Sequence, residues 1–262
     1  MLLAIDIGNT NIVIGCIQND TILFNERVST NHAASDLEYA IEIKTIIEIH
    51  SVEKGDIEAA IISSVVPDVT GVVGRAIKKL IGIDALVVGP GIKTGLSIRI
   101  DNPAQLGSDL AVDAIAGLDC YGAPLIVVDM GTATTVSVID KDSNYIGGMI
   151  IPGLFTSLDS LSSKTAQLPK IRLDVPDHII GKNTIECMQS GILHFTACGI
   201  DGTIDRIEKE LGYRCTVVAT GGLARYIVPL CNREIIYDDD LLLKGLMIIY
   251  NKNKGTHYEK RI

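Results

Sequence analysis

The strongest constraint on this chain is a pattern that occurs twice. Near the N-terminus, LLAIDIGNTNIVIG runs an apolar stretch into Asp6, turns at Gly8 and resumes as a second apolar stretch. In the middle, PLIVVDMGTATTVSVID does the same, with Asp129 closing the run and Gly131 in the turn. At a constant offset of 123 positions, Gly8 falls on Gly131, Asn11 on Thr134 and Val13 on Val136, giving D-x-G-x-x-[N/T]-x-V twice. Short Ile- and Val-rich runs bounded by Gly and Asn read as strands joined by tight turns. One such hairpin is common. Two, each opening a half-chain of similar order, predict an internal duplication: an α/β fold of two domains over 1–118 and 119–255, then a polar tail over 256–262.

The first half reads as strands in LLAID, NIVIGCI and TILFNERV, a helix from Asp36 to His50, a buried strand in IEAAIISSVV, a helix in DVTGVVGRAIKKLIG and a strand in ALVVGPG. The second continues from its hairpin through a strand in KDSNYIGGMIIPG. Later, TVVATGGLARYI reads as a strand, a Thr220-Gly221-Gly222 turn and a helix whose N-terminal N–H groups are open to a ligand. Ser162 to Thr165 reads as a loop before Pro169. DDDLLLKGLMIIYNKNK predicts a C-terminal helix with an acidic start and a basic end, as the helix dipole favours.

Composition excludes several function classes. The formal charge is −9 and no basic cluster is dense, while Trp is absent and Phe occurs three times, so a nucleic-acid surface is not expected. No apolar run approaches the roughly 20 residues of a membrane span. Five apolar residues before Asp6 are too few for a signal segment. Six scattered cysteines without a C-x-x-C pair, and five histidines without ligand spacing, suggest reduced thiols in a cytoplasmic protein. An acidic protein can still bind phosphate locally, through backbone N–H groups and metal ions.

The repeated turns have two readings. Each Asp can satisfy its own backbone in an Asx turn. Alternatively each hairpin holds phosphate oxygens through N–H groups and neutral side chains, Asn9, Thr10 and Asn11 in one and Thr132, Thr134 and Thr135 in the other, while Asp holds a cation. Gly221 and Gly222 then take the nucleoside end. In DNPAQLGSDLAVDAIAG, an Asn102-Pro103 turn leads to a helix start at Gly107-Ser108-Asp109. There Ser108 can cap the helix and Asp109 complement its dipole.

Two D-x-G hairpins and a later T-G-G turn resemble the superfamily of actin, heat-shock ATPases and sugar kinases. Within it DIGNTNIVIG, GPGIKTGL, DNPAQLGSDL, VDMGTATT, GGMIIPGL, GKNT and ATGG, in that order over residues 1 to 250, resemble the type III pantothenate kinases. The resemblance implies two ribonuclease-H-like, actin-like domains with an interdomain ATP cleft, a homodimer, and ATP-dependent phosphorylation of pantothenate to 4'-phosphopantothenate, the first step of coenzyme A biosynthesis. It implies magnesium with the nucleotide and a monovalent cation, potassium or ammonium. Carried over by position, Asp6, Ile7, Gly8, Asn9, Thr10, Asn11, Ile12 and Val13 form the first ATP-binding hairpin. Thr132 also contacts ATP, and Asp129 holds the cation. Ile100, Gly107, Ser108, Asp109, Leu110 and Thr184 fall on pantothenate-binding positions, with Asp109 as the general base.

Two residues depart from the family pattern. Arg usually follows the catalytic Asp, where this chain has Leu110, and Tyr usually stands where it has Ile100. A charge-assisted bond to Arg is worth roughly 1.5–3 kcal/mol. Arg99 or a partner's basic residue as a substitute grip, a different small-alcohol acceptor, and a non-catalytic ATP-binding regulator all remain open on the sequence alone.

Overall fold

The structure, a computed structural model, describes residues 1–254. The tail expected over 256–262 lies outside the described residues. The chain forms two units: Met1–Leu96 with Asp101–Ala116 and the C-terminal segment from Asp240, and Ser97–Ile100 with Gly117–Asp239. In chain order the first half holds β1 (Leu2–Ile7), β2 (Asn11–Gln18), β3 (Thr21–Ser29), α1 (Asp36–Ile49), β4 (Ala59–Ser64), α2 (Pro67–Ile81), β5 (Leu86–Val87), β6 (Ser97–Ile98) and α3 (Ser108–Tyr121). The second holds β7 (Leu125–Met130), β8 (Ala133–Ile139), β9 (Asn144–Pro152), α4 (Leu154–Lys164), α5 (Thr184–Leu211), β10 (Thr216–Thr220), α6 (Ala224–Ile227), β11 (Ile236–Tyr237) and α7 (Leu241–Asn253).

The first sheet runs β3-β2-β1-β4-β5. Its β1–β2 and β2–β3 pairs are antiparallel, and β1–β4 and β4–β5 are parallel. Strand β1 is buried at all six positions, which a continuous apolar run requires when both faces of a sheet are covered. One face packs through Leu3, Ile5, Ile12 and Ile14 against α1 and α2. The other packs through Leu2, Ala4 and Ile61 against Val112 and Ile115 of α3 and Leu243, Leu246 and Ile249 of α7. Local signals set the helix ends. Ser35 and Glu38 form a reciprocal capping box at α1, while α2 starts on Pro67 and stops at Gly82, whose φ is +82°.

The second sheet runs β11-β10-β7-β8-β9-β6. Read from β9 to β11 it repeats the first sheet's order and strand directions, with β6 added alongside β9. The expected duplication is therefore present, and both halves have the ribonuclease-H-like order.

The constant offset of 123 fails after the turn. Asp6 pairs with Val13, whereas Asp129 pairs with Thr135. Gly8 N–H reaches Asn11 O at 2.9 Å, but Gly131 N–H reaches Ala133 O at 3.1 Å, so the second turn is one residue shorter. Val13 thus matches Thr135, not Val136, and Asn11 matches Ala133. Burial agrees, since β2 opens with the same alternation as β8.

Three other expectations change. The last helix, expected within 119–255, packs in the first unit, where Leu243 fills the space over Gly15 and Val112 backs onto Gly245. Ser162 to Lys164 close α4 rather than form a loop, because Leu154 and Leu158, one turn apart, are buried and hold the segment helical. After Gly221-Gly222 the helix has only four residues before a 3-10 turn at Val228–Leu230.

Candidate active site

In the first unit the turn between β1 and β2 offers Asn9 and Thr10 to solvent, with Asp6 buried beneath. Thr30, just past β3, ties down two of its carbonyls: Thr30 N–H donates to Thr10 O at 2.9 Å and its hydroxyl donates to Gly8 O at 2.7 Å. Engaging carbonyls inward removes oxygens that would repel a phosphate.

Next to β1, β4 pairs Ser63 with Asp6 and ends at Ser64. The Ser108 hydroxyl donates to Ser64 O at 2.9 Å and accepts from Ser63 Oγ at 3.0 Å and Ser64 N–H at 3.2 Å. Ser108 is thus no cap for its own helix. It fastens the start of α3 to the end of β4, beside Asp6. Asp109 follows, half-buried, and its Oδ1 accepts the Leu110 N–H at 2.9 Å. Burial pushes the Asp109 carboxyl above the usual carboxylate range, against the opposing effect of the Leu110 and Asp109 backbone N–H groups. An Asn102 side chain accepting from Ala104 N–H at 3.2 Å shapes the approach to this helix. The first unit therefore gathers Asp6, the Gly8–Asn11 turn, Ser108 and Asp109 around the ends of β1 and β4.

In the second unit the β7–β8 turn exposes Thr132, whose carbonyl accepts from Gly153 N–H at 3.2 Å and the Thr156 hydroxyl at 2.8 Å. A Cβ on Gly153 would lie 2.5 Å from the carbonyls of Gly131 and Thr132, so glycine is required where β9 ends against this turn. Thr134 is 2% exposed and unavailable to a ligand. Asp129, partly exposed, stands opposite Thr135 on β8 and Thr220 on β10. Gly221, at φ +87°, closes on it: a Cβ there would lie 2.5 Å from Asp129 Oδ1 and 2.7 Å from Met130 O.

Of the acceptor-side positions, Thr184 is the exposed first residue of α5, behind an Asn183 cap that accepts from Glu186 N–H at 3.0 Å. Ile100, partly exposed, and Arg99 both lie in the second unit. Arg99 Nε donates to Asn144 Oδ1 at 3.2 Å, in the turn where Asn144 also holds Asp140. Thr30, Ser63, Ser64, Gly153 and Thr156 escaped sequence reading. Only the GGMIIPGL motif hinted at one of them. Among the described residues no group of three or more His, Cys, Asp or Glu side chains is placed to hold a metal ion, and no helix is long and apolar enough to cross a membrane.

Comparison with known proteins gives one consistent result. The family model of the type III pantothenate kinases matches residues 2–206. A type III pantothenate kinase from Bacillus cytotoxicus is 42% identical over 260 residues, covering 99% of each chain. Among solved structures, a putative 2-dehydro-3-deoxygalactonokinase from Sinorhizobium meliloti matches at a TM-score of 0.57 and 12% identity over 96% of both chains. The activator of 2-hydroxyisocaproyl-CoA dehydratase from Clostridium difficile, solved with ADPNP, matches at 0.53 and 15% identity over 100% of this chain and 97% of that one. These two share the fold.

Proposed function

We propose, from the premise that this chain belongs to the type III pantothenate kinase family, that Asp109 is the base of its reaction. The protein is a kinase that phosphorylates pantothenate with ATP and magnesium, in coenzyme A biosynthesis. As the pantothenate hydroxyl meets the γ-phosphoryl group it must lose its proton, and a carboxylate within about 3 Å accepts it. The observation that carries this reading is the placement of Asp109, at the first turn of a helix that Ser108 fastens to the strand ends beside Asp6. Its raised affinity for protons brings it nearer the range in which a base works at neutral pH.

The remaining roles follow. Residues 6 to 13 and Thr132 bind ATP phosphates through turns whose carbonyls face inward, and Gly221 and Gly222 take its nucleoside end. Asp129 holds a potassium or ammonium ion, which supplies positive charge for the phosphates. The fit is supported by a Thr135 hydroxyl oxygen, buried and without a hydrogen-bond partner among the described residues, on the strand position facing Asp129. Gly107 to Leu110, Ile100 and Thr184 contact pantothenate. Arg99, bonded to Asn144, is not an evident replacement for the guanidinium that Leu110 lacks. From its own position Leu110 gives pantothenate an apolar contact and no charged one. Ile150, Ile180 and Phe195, at 75%, 78% and 82% exposed, are large apolar side chains of the second unit that a second copy covers in a homodimer. We place the protein in the cytoplasm.

The test is Asp109→Asn, assayed for phosphopantothenate by mass. We expect kcat to fall by about 10²–10⁴ with ATP affinity kept. Turnover near the wild-type rate would remove Asp109 from the chemistry.

A further inference from the structure

The duplication supplies its own control, because the two halves place different residues around equivalent aspartates. Asp6 stands between Val13 on β2 and Ser63 on β4. Val13 offers no donor, and the Ser63 hydroxyl is engaged by Ser108 at 3.0 Å. Asp129 stands between Thr135 on β8 and Thr220 on β10. Directly paired residues on neighbouring strands project from the same face, about 4.5–5.5 Å apart at Cβ. Thr220, Asp129 and Thr135 therefore form a row of oxygen-bearing side chains across three strands, where the first half has one side chain without oxygen.

Thr135 Oγ1 is buried and makes no hydrogen bond among the described residues. A buried hydroxyl left unsatisfied costs about 1–3 kcal/mol, so such a group in a native protein calls for a missing partner. Gly221 packs its backbone directly against Asp129, where a Cβ would lie 2.5 Å from Oδ1, so no side chain can stand there. From these features we infer that Thr135 and Thr220 complete, with Asp129, the site of a monovalent cation of about potassium's size. One carboxylate with neutral hydroxyls suits a singly charged ion. Divalent ions are held by more carboxylates or by waters and phosphates, and no cluster of three acidic or imidazole groups is present among the described residues. The inference rests on the reading of Asp129 as the cation ligand and adds the residues that set its affinity.

The test uses the full-length protein without substrates. Melting temperature is followed as KCl replaces choline chloride at fixed ionic strength, for wild type, Asp129→Asn, Thr135→Val and Thr135→Ser. A cation that binds only the folded state raises the melting temperature along a saturable curve. Thr135→Val copies the first half's own arrangement at Val13, so the fold tolerates it. We expect it to raise the half-saturating KCl by about tenfold or more, equivalent to about 1.4 kcal/mol, with Thr135→Ser close to wild type. Loss of the response in Asp129→Asn, with an unchanged half-saturation in Thr135→Val, would overturn the inference and leave the Asp129 reading standing. A full response in Asp129→Asn, or none in wild type, would remove the cation site altogether.

Discussion

Asp109 sits under two opposing influences, burial that favours its neutral form and backbone N–H groups that favour its charge, and burial prevails. A carboxyl with a folded-state pKa above its unfolded value holds protons in the native state that the unfolded chain has released. Stability is then lost as pH rises from the unfolded value, about 3.9, through the folded one. Asp109→Asn should therefore raise the melting temperature at neutral pH, and the gain should vanish below about pH 4, measurable in melts across pH. In the wild type, kcat should fall as pH drops through the same raised value, so its acid limb lies above that of an ordinary aspartate. At this scale the sequence exposed Asp6, Asp129 and Asp109, because each sits in a local motif. It hid Ser63 and Ser64, which lie 44 or 45 positions from the Ser108 they hold. It also misplaced Thr135, because a turn shorter by one residue leaves no trace in composition.

Among the elements, those with periodic burial and clear caps matched their expected spans, α1 and α2 most closely. Helix α4 was missed at its end because four serines between Leu154 and Lys164 read as loop, and packing of Leu154 and Leu158 overrides that weak preference. Strand β5 shrinks to Leu86–Val87, with the GPGIKTG run beyond it held by Asn253, which accepts Lys93 N–H at 3.0 Å and donates to Lys93 O at 2.9 Å. The seat of α7 depends on Gly245, where an added Cβ would lie 2.3 Å from Val112 O. Gly245→Ala should force α7 away from α3 and cost about 1–3 kcal/mol, seen as a lower urea midpoint with an unchanged slope.

For the molecule as a whole, the duplication was legible because a strand, a turn and a strand carry it within a dozen residues. The allocation of α7 was not, because an apolar helix face fits either sheet and long-range pairs such as Leu243 with Gly15 and Gly245 with Val112 decide. The proposed homodimer makes a separate prediction. Ile150→Asp and Phe195→Asp, at exposed positions that bear no core load, should leave the melting temperature nearly unchanged and turn the sedimenting species from dimer to monomer. A wild-type monomer at assay concentration would dismiss the dimer.

The return of α7 to the first unit also has a consequence for the order of events during translation. Residues 2–116 leave the ribosome first, yet one face of β1 and β4 has only Val112 and Ile115 of α3 as cover until Leu243, Leu246 and Ile249 have been added. The second unit, whose last strand closes at Tyr237, has its whole sheet synthesised before that point. Domains ordinarily mature from the N-terminus onward as they emerge. Here the half that starts first must finish last, so a transcript cut short before α7 would deliver a complete second unit joined to a first that still shows its core.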